Sequence, residues 1–215
     1  MKKLLAVLAF AGLSLSGFAQ DATPTEKYSV ATNSFWSNWF IQAGAEWNAW
    51  YSSEEHGQNF STSPFKKFRS NPGASVAIGK WFTPGIGLRT KLQGIWGKEV
   101  YNLETGAQGK FNKYWLLNEH VMFNVSNLIW GYNENRVWNV IPFVGGGIGR
   151  TITHNFYSMD LSAGIQSTWK VAKHLNVYLE AGWNRIESDI DGGWEDGHRG
   201  WDSHDNNLYA EVGLQ

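Results

Sequence analysis

Apolar and polar residues alternate along most of this chain, in segments of about ten residues set apart by turn-forming stretches. Such a segment has a clean apolar face only when extended, because side chains of a strand point to opposite sides in turn. The first segment, residues 39–51, puts Ile41, Ala43, Ala45, Trp47, Ala49 and Tyr51 on one face and Gln42, Gly44, Glu46 and Asn48 on the other. The third, 86–100, sets Ile86, Leu88, Thr90, Leu92 and Trp96 against Arg89, Lys91, Gln93 and Glu99. The sixth (157–170), seventh (175–185) and eighth (207–215) repeat the pattern, with Asp160, Glu180 and Glu211 on their polar faces. The second (73–82), fourth (113–125) and fifth (137–150) are less regular. In the fourth, Glu119 shares a face with Trp115, Leu117, Val121 and Phe123, while Asn118 and His120 lie opposite. A β-bulge near Asn118 would switch that parity, and the pattern leaves the choice open.

The chain's first residues point to export. Met1-Lys2-Lys3 is a short positive segment, residues 4–15 are apolar, and Gly17-Phe18-Ala19 offers small residues at the positions a signal peptidase reads. Cleavage is expected between Ala19 and Gln20, with a leader at 1–19, a periplasmic segment at 20–38 and the β domain at 39–215. No later apolar run approaches the roughly 20 residues of a membrane helix. Cysteine is absent, which removes disulfides, thiolate metal sites and cysteine nucleophiles. Charge is nearly balanced, 18 Lys and Arg against 19 Asp and Glu, with no basic stripe for nucleic acid.

Soluble sandwiches alternate too, so three further features decide the class. Polar faces carry isolated charges of both signs at mid-strand. Aromatic residues sort to the strand ends: Trp39, Trp81, Trp138 and Trp169 at one end, Trp50, Tyr51, Trp96, Trp115 and Trp183 at the other. Two such girdles suit the two membrane–water interfaces. Connections also alternate in length. Residues 83–85, 126–136 and 171–174 are turns, whereas 52–72, 101–112, 151–156 and 186–206 include three longer loops. These features together predict an all-β fold, an eight-stranded antiparallel up-and-down transmembrane β-barrel in the bacterial outer membrane.

Three stretches strengthen this: residues 79–89 (GKWFTPGIGLR), 141–149 (IPFVGGGIG) and 178–184 (YLEAGWN). With them the chain resembles, over residues 35–215, the N-terminal barrel of the outer-membrane protein A (OmpA) family in its Bacteroidetes form. The resemblance implies an envelope anchor. It implies peptidoglycan as a partner only through a further C-terminal domain. Outer-membrane lipid and the barrel-insertion machinery are the other expected partners.

No site for catalysis is legible. Gly145-Gly146-Gly147 with Gly149 lacks the following helix that a phosphate loop requires; these glycines instead share a strand face and would leave room for long side chains. The fourth outer loop gathers Asp189, Asp191, Glu195, Asp196, His198, Asp202, His204 and Asp205, without the spacing of a metal motif. No enzyme, cofactor or metal is therefore expected. The inward charges Glu46, Arg89, Lys91, Asp160, Glu180 and Glu211 are expected to pair as a plug, since eight strands enclose only enough space for side chains. Two functions follow from this: an anchor with surface loops for envelope integrity or adhesion, and a small-solute channel.

Overall fold

The computed structural model of the protein describes residues 35–52, 55, 59–94, 97–98, 111–152, 155–187, 190 and 204–215. The leader, its Ala19–Gln20 cleavage point, most of the 20–38 segment, Trp96 and nearly all of the acidic fourth loop lie outside these residues.

Eight strands close on themselves: β1 (Trp39–Tyr51), β2 (Ser70–Trp81), β3 (Ile86–Gly94), β6 (Tyr114–Phe123), β7 (Trp138–Thr151), β8 (Phe156–Ala172), β9 (Leu175–Glu187) and β10 (His204–Leu214). Each pairs antiparallel with its neighbours in the chain, and β1 pairs with β10 to complete the ring. A second, two-stranded sheet, β4 (Gly97–Lys98) with β5 (Phe111–Asn112), lies within the second long connection. Closure gives the backbone groups of every barrel strand a partner on both sides, as a strand surrounded by hydrocarbon requires. The connections 82–85, 124–137 and 173–174 lie at one end, the turn end, and 52–69, 95–113, 152–155 and 188–203 lie at the other, the loop end, where all but 152–155 are long.

Strand bounds fall within a few residues of those read from the alternation, with two instructive differences. The third strand stops at Gly94 rather than running to residue 100. Gly94 has φ +124°, a conformation that L side chains rarely adopt, and a Cβ there would meet the backbone of Tyr114 and Trp115. The second difference is a helix, α1 (Val125–Trp130), where a turn was expected. Asn124 caps it by accepting from Asn127 N at 3.0 Å. Asn127 Nδ2 then donates to Pro84 O at 2.8 Å, and Ser126 Oγ accepts from Val140 N at 3.0 Å. The helix is thereby fastened to the 82–85 turn and to the start of β7.

The open question of the fourth strand has a plain answer. Pairing of β6 with β3 runs unbroken from Ile86↔Phe123 to Gly94↔Trp115, and with β7 from Tyr114↔Thr151 to Met122↔Phe143. There is no bulge near Asn118. Asn118 and His120 are fully buried and face inward, so Glu119 stays on the outer face. There Thr90 Oγ1, on the adjacent β3, donates to its carboxylate at 2.6 Å.

Candidate functional site: the lumen

Inward-facing residues stack in the same order along the strands. In β1, from turn end to loop end, they are Phe40, Gln42, Gly44, Glu46, Asn48 and Trp50. In β3 they include Arg89, Lys91 and Gln93, and β6 read from the loop end gives Tyr114, Leu116, Asn118, His120 and Met122. Four layers result: apolar, charged, amide, apolar.

At the turn end Met122, Ile141, Phe143 and Tyr209 form a buried apolar layer, with Phe40 and Trp81 packed against it. At the loop end Trp50, Tyr114, Leu116, Ile186 and Ile190 form another, with Phe68. The rings of Trp50 and Tyr114 meet edge to face at 4.9 Å. Above them the first long loop folds back over Arg69, which is fully buried. Arg69 donates to Trp50 O at 2.8 Å and Ser61 O at 2.9 Å, and binds both oxygens of Glu55.

Between the apolar layers lie the charges. Arg89 grips Glu180 with both terminal nitrogens, at 2.6 and 3.1 Å, and donates to Gln42 Oε1 at 3.1 Å. Its guanidinium also lies 4.6 Å over the Phe143 ring, which joins the charged layer to the turn-end apolar one. Lys91 sits among three carboxylates: Glu211 at 2.6 Å, Glu180 at 2.8 Å and Glu46 at 3.6 Å. Glu180 further accepts from Tyr209 Oη at 2.9 Å and Gln166 Nε2 at 3.1 Å. Glu211 accepts from Ser75 Oγ at 2.6 Å and from the Tyr178 hydroxyl. Five carboxylates face the lumen, Asp205 near the loop end among them, and three of them share Arg89 and Lys91. Asp160 stands apart, accepting from Asn118 Nδ2 at 2.7 Å.

All six charges read from the sequence as inward thus face the lumen, and five of them are brought together. Gln42, His120, Gln166 and Tyr209 lie on the polar faces read from the sequence, whereas Ser75 and Tyr178 were not placed inside by it. Tyr178 shares the parity of Glu180 in β9, which was the available signal; β2 has no inward charge to mark Ser75. The glycines of β7 have a different use from the one expected. Space at Gly145 and Gly147 is taken by the adjacent β6 backbone, at Glu119 and Leu117. Side chains share it too: the Asn118 amide oxygen at Gly147, and those of Leu116 and Ile190 at Gly149.

His120 and Ser162 make a buried pair at 3.0 Å, which resembles half of a nucleophile–base arrangement. The other ring nitrogen of His120 faces Arg89 at 3.0 Å. A cation there gives no support to the imidazolium that proton transfer would create.

The outer surface is the inverse of the lumen. Ile41, Val76, Ile78, Leu92, Leu117, Val144, Leu161, Ile165, Leu179, Leu208 and Val212 are all exposed around the barrel. A continuous apolar belt of this kind belongs in hydrocarbon. Trp39, Trp138 and Trp169 ring its turn end, with Trp138 directly opposite Trp169 in register. Trp115, Tyr157 and Trp183 ring its loop end, and Tyr51 points outward there beneath Arg69, whose guanidinium is 4.1 Å from its ring. Two tryptophans expected in the girdles are elsewhere. Trp50 is 2% exposed and belongs to the loop-end lumen layer, and Trp81 packs inward against Phe40. Height along a strand does not choose the face. Trp50 has the parity of Glu46 and Asn48, and parity decides.

Together the belt, the girdles and the closed strand order define an outer-membrane β-barrel. Among the described residues no helix is long and apolar enough to cross a membrane, so the crossing is made by strands. No family model matches the chain. It is 28% identical over 158 residues to outer membrane protein 40 of Porphyromonas gingivalis, covering 69% of this chain and 38% of that protein. To outer membrane protein 41 of the same organism it is 22% identical over 193 residues, covering 83% and 47%. The chain therefore spans less than half the length of the curated relatives it matches. Among solved structures it is similar to Neisserial surface protein A (TM-score 0.46, 11% identity, covering 82% of this chain and 96% of that one). It is also similar to OprG of Pseudomonas aeruginosa (TM-score 0.48, 8% identity, covering 82% and 93%).

Proposed function

We propose that this chain is a sealed, non-catalytic barrel of the outer-membrane protein A type, which anchors the envelope and presents its long loops outside the cell. The observation that carries this reading is the layering of the lumen. Ions meet an apolar layer at each end, and between them Arg89 and Lys91 tie β3 to carboxylates on β1, β9 and β10. A solute path would have to break both apolar layers and at least one of these bridges. The likeness to two longer outer-membrane proteins supports a tether in which the barrel is one part, with peptidoglycan held by a separate domain.

Conductance across planar bilayers tests the proposal. The purified barrel is expected to show no steady current. Arg89→Ala is expected to bring openings, because it removes the bridge and the support under Phe143 together. Steady conduction by the parent, unchanged in Arg89→Ala, would overturn the sealed anchor in favour of a small-solute channel.

A further inference from the structure

Next to its charged layer the lumen holds a carboxylate, Asp160, that Arg89 and Lys91 do not reach. Glu46, Asp160, Glu180 and Glu211 are each no more than 4% exposed. Arg89 and Lys91 form ion pairs with Glu46, Glu180 and Glu211, and among the described residues Asp160 has none. Its Oδ2 accepts from Asn118, while its Oδ1 is buried with no partner. Two more oxygens on the same side of the barrel are buried and unpartnered: Asn118 Oδ1, and Ser158 Oγ two residues along the same face of β8. Asn184 supports the group from β9, its Oδ1 3.5 Å from Asn118 Nδ2.

We propose that Asp160, with Asn118 and Ser158, binds a small monovalent cation, sodium or potassium, inside the barrel. The donor set is one carboxylate with neutral oxygens, so a single positive charge balances it. A divalent ion takes six or more oxygens, usually with several carboxylates; the three carboxylates that converge here already surround Lys91, and no group of three or more acidic or imidazole side chains suited to a metal ion is present among the described residues. The neighbouring amide layer of Asn48, Asn71, Gln93 and Asn207 has further buried, unpartnered atoms, which leaves a polar setting for the ion's remaining waters. The apolar layers above and below make this a trapped ion, taken up as the barrel folds. The site stands whether or not the barrel conducts.

The full chain should therefore be refolded separately in sodium, potassium or N-methylglucamine chloride, at equal ionic strength and pH 8 in non-ionic detergent. Urea unfolding is then followed in each. The unfolding midpoint is expected to be higher with the small cations, and to rise with their concentration and level off, as binding to the folded state alone requires. Asp160→Asn is expected to fold, shown by the shifted gel mobility of unheated barrel, and to lose the difference. Should it fail to fold, Ser158→Ala is expected to move the concentration dependence to higher salt. A parent midpoint indifferent to the cation, as from water beside a neutral Asp160, would overturn the site. So would an undiminished cation dependence in Asp160→Asn, or in Ser158→Ala where Asp160→Asn does not fold.

Discussion

At the scale of the residue, the side a side chain faces sets its energetics more than its chemical type does. Leu179 and Glu180 are neighbours in β9, yet the first meets lipid and the second accepts from Arg89, Lys91, Gln166 and Tyr209. Leu179→Arg is expected to lower the unfolding free energy in lipid vesicles by about 2–4 kcal/mol, as a cation at the bilayer midplane does. Glu119 gives the opposite sign. It is the one acidic side chain on the outer face of β6, held by Thr90 amid Leu117 and Val121. Glu119→Leu should raise stability in the same assay; a loss would show that the Thr90 bond outweighs the burden of a carboxylate in lipid. Inside, Arg89→Ala leaves Glu180 with less compensation, and breaking one side of a dry buried pair costs about 3–5 kcal/mol. Urea titration of this variant beside the conductance measurement would show whether one bridge both braces and blocks.

Elements were legible in proportion to how far alternation alone determines them. Strands β1, β8, β9 and β10 have the clearest polar and apolar faces, and their inward charges follow directly, though the inward placing of Trp50 in β1 did not. The less regular strands hid what depends on a neighbour. For β6, only the ladders on both sides exclude a bulge and send Glu119 outward. For β7, the glycines sit where the β6 backbone comes close. A Cβ at Gly145 would collide with the carbonyl of Glu119, a contact between residues far apart in sequence. Gly145→Val is therefore expected to prevent closure of the β6–β7 ladder, read as loss of the folded, faster-migrating gel band. A fully folded variant would show that this ladder can separate at little cost. Helix α1 was hidden for another reason. Six residues are too few to show a helical period, and its support comes from Pro84 in the 82–85 turn and Val140 in β7. The lumen was legible as charges, but which carboxylate each cation reaches depends on barrel radius and side-chain length. That is why Asp160 could be placed inside but not seen to stand apart.

At the scale of the whole molecule, the leader reading gives a direct measurement. Intact mass of the outer-membrane fraction is expected to show residues 1–19 removed, with Gln20 at the N-terminus; Met1 retained in that fraction would refute the cleavage. The pairing of β1 with β10, which sets Ala43 opposite Leu214, also governs the order of events in the cell. Of the eight strands synthesis yields β1 first and β10 last, so these two cannot pair until Leu214 has been made. Until then both expose unpaired backbone, the template on which strands of other molecules add. The barrel therefore cannot mature while it is being made. It has to cross the inner membrane unfolded, travel with its two outermost strands shielded, and close in one late step at the membrane where it will remain.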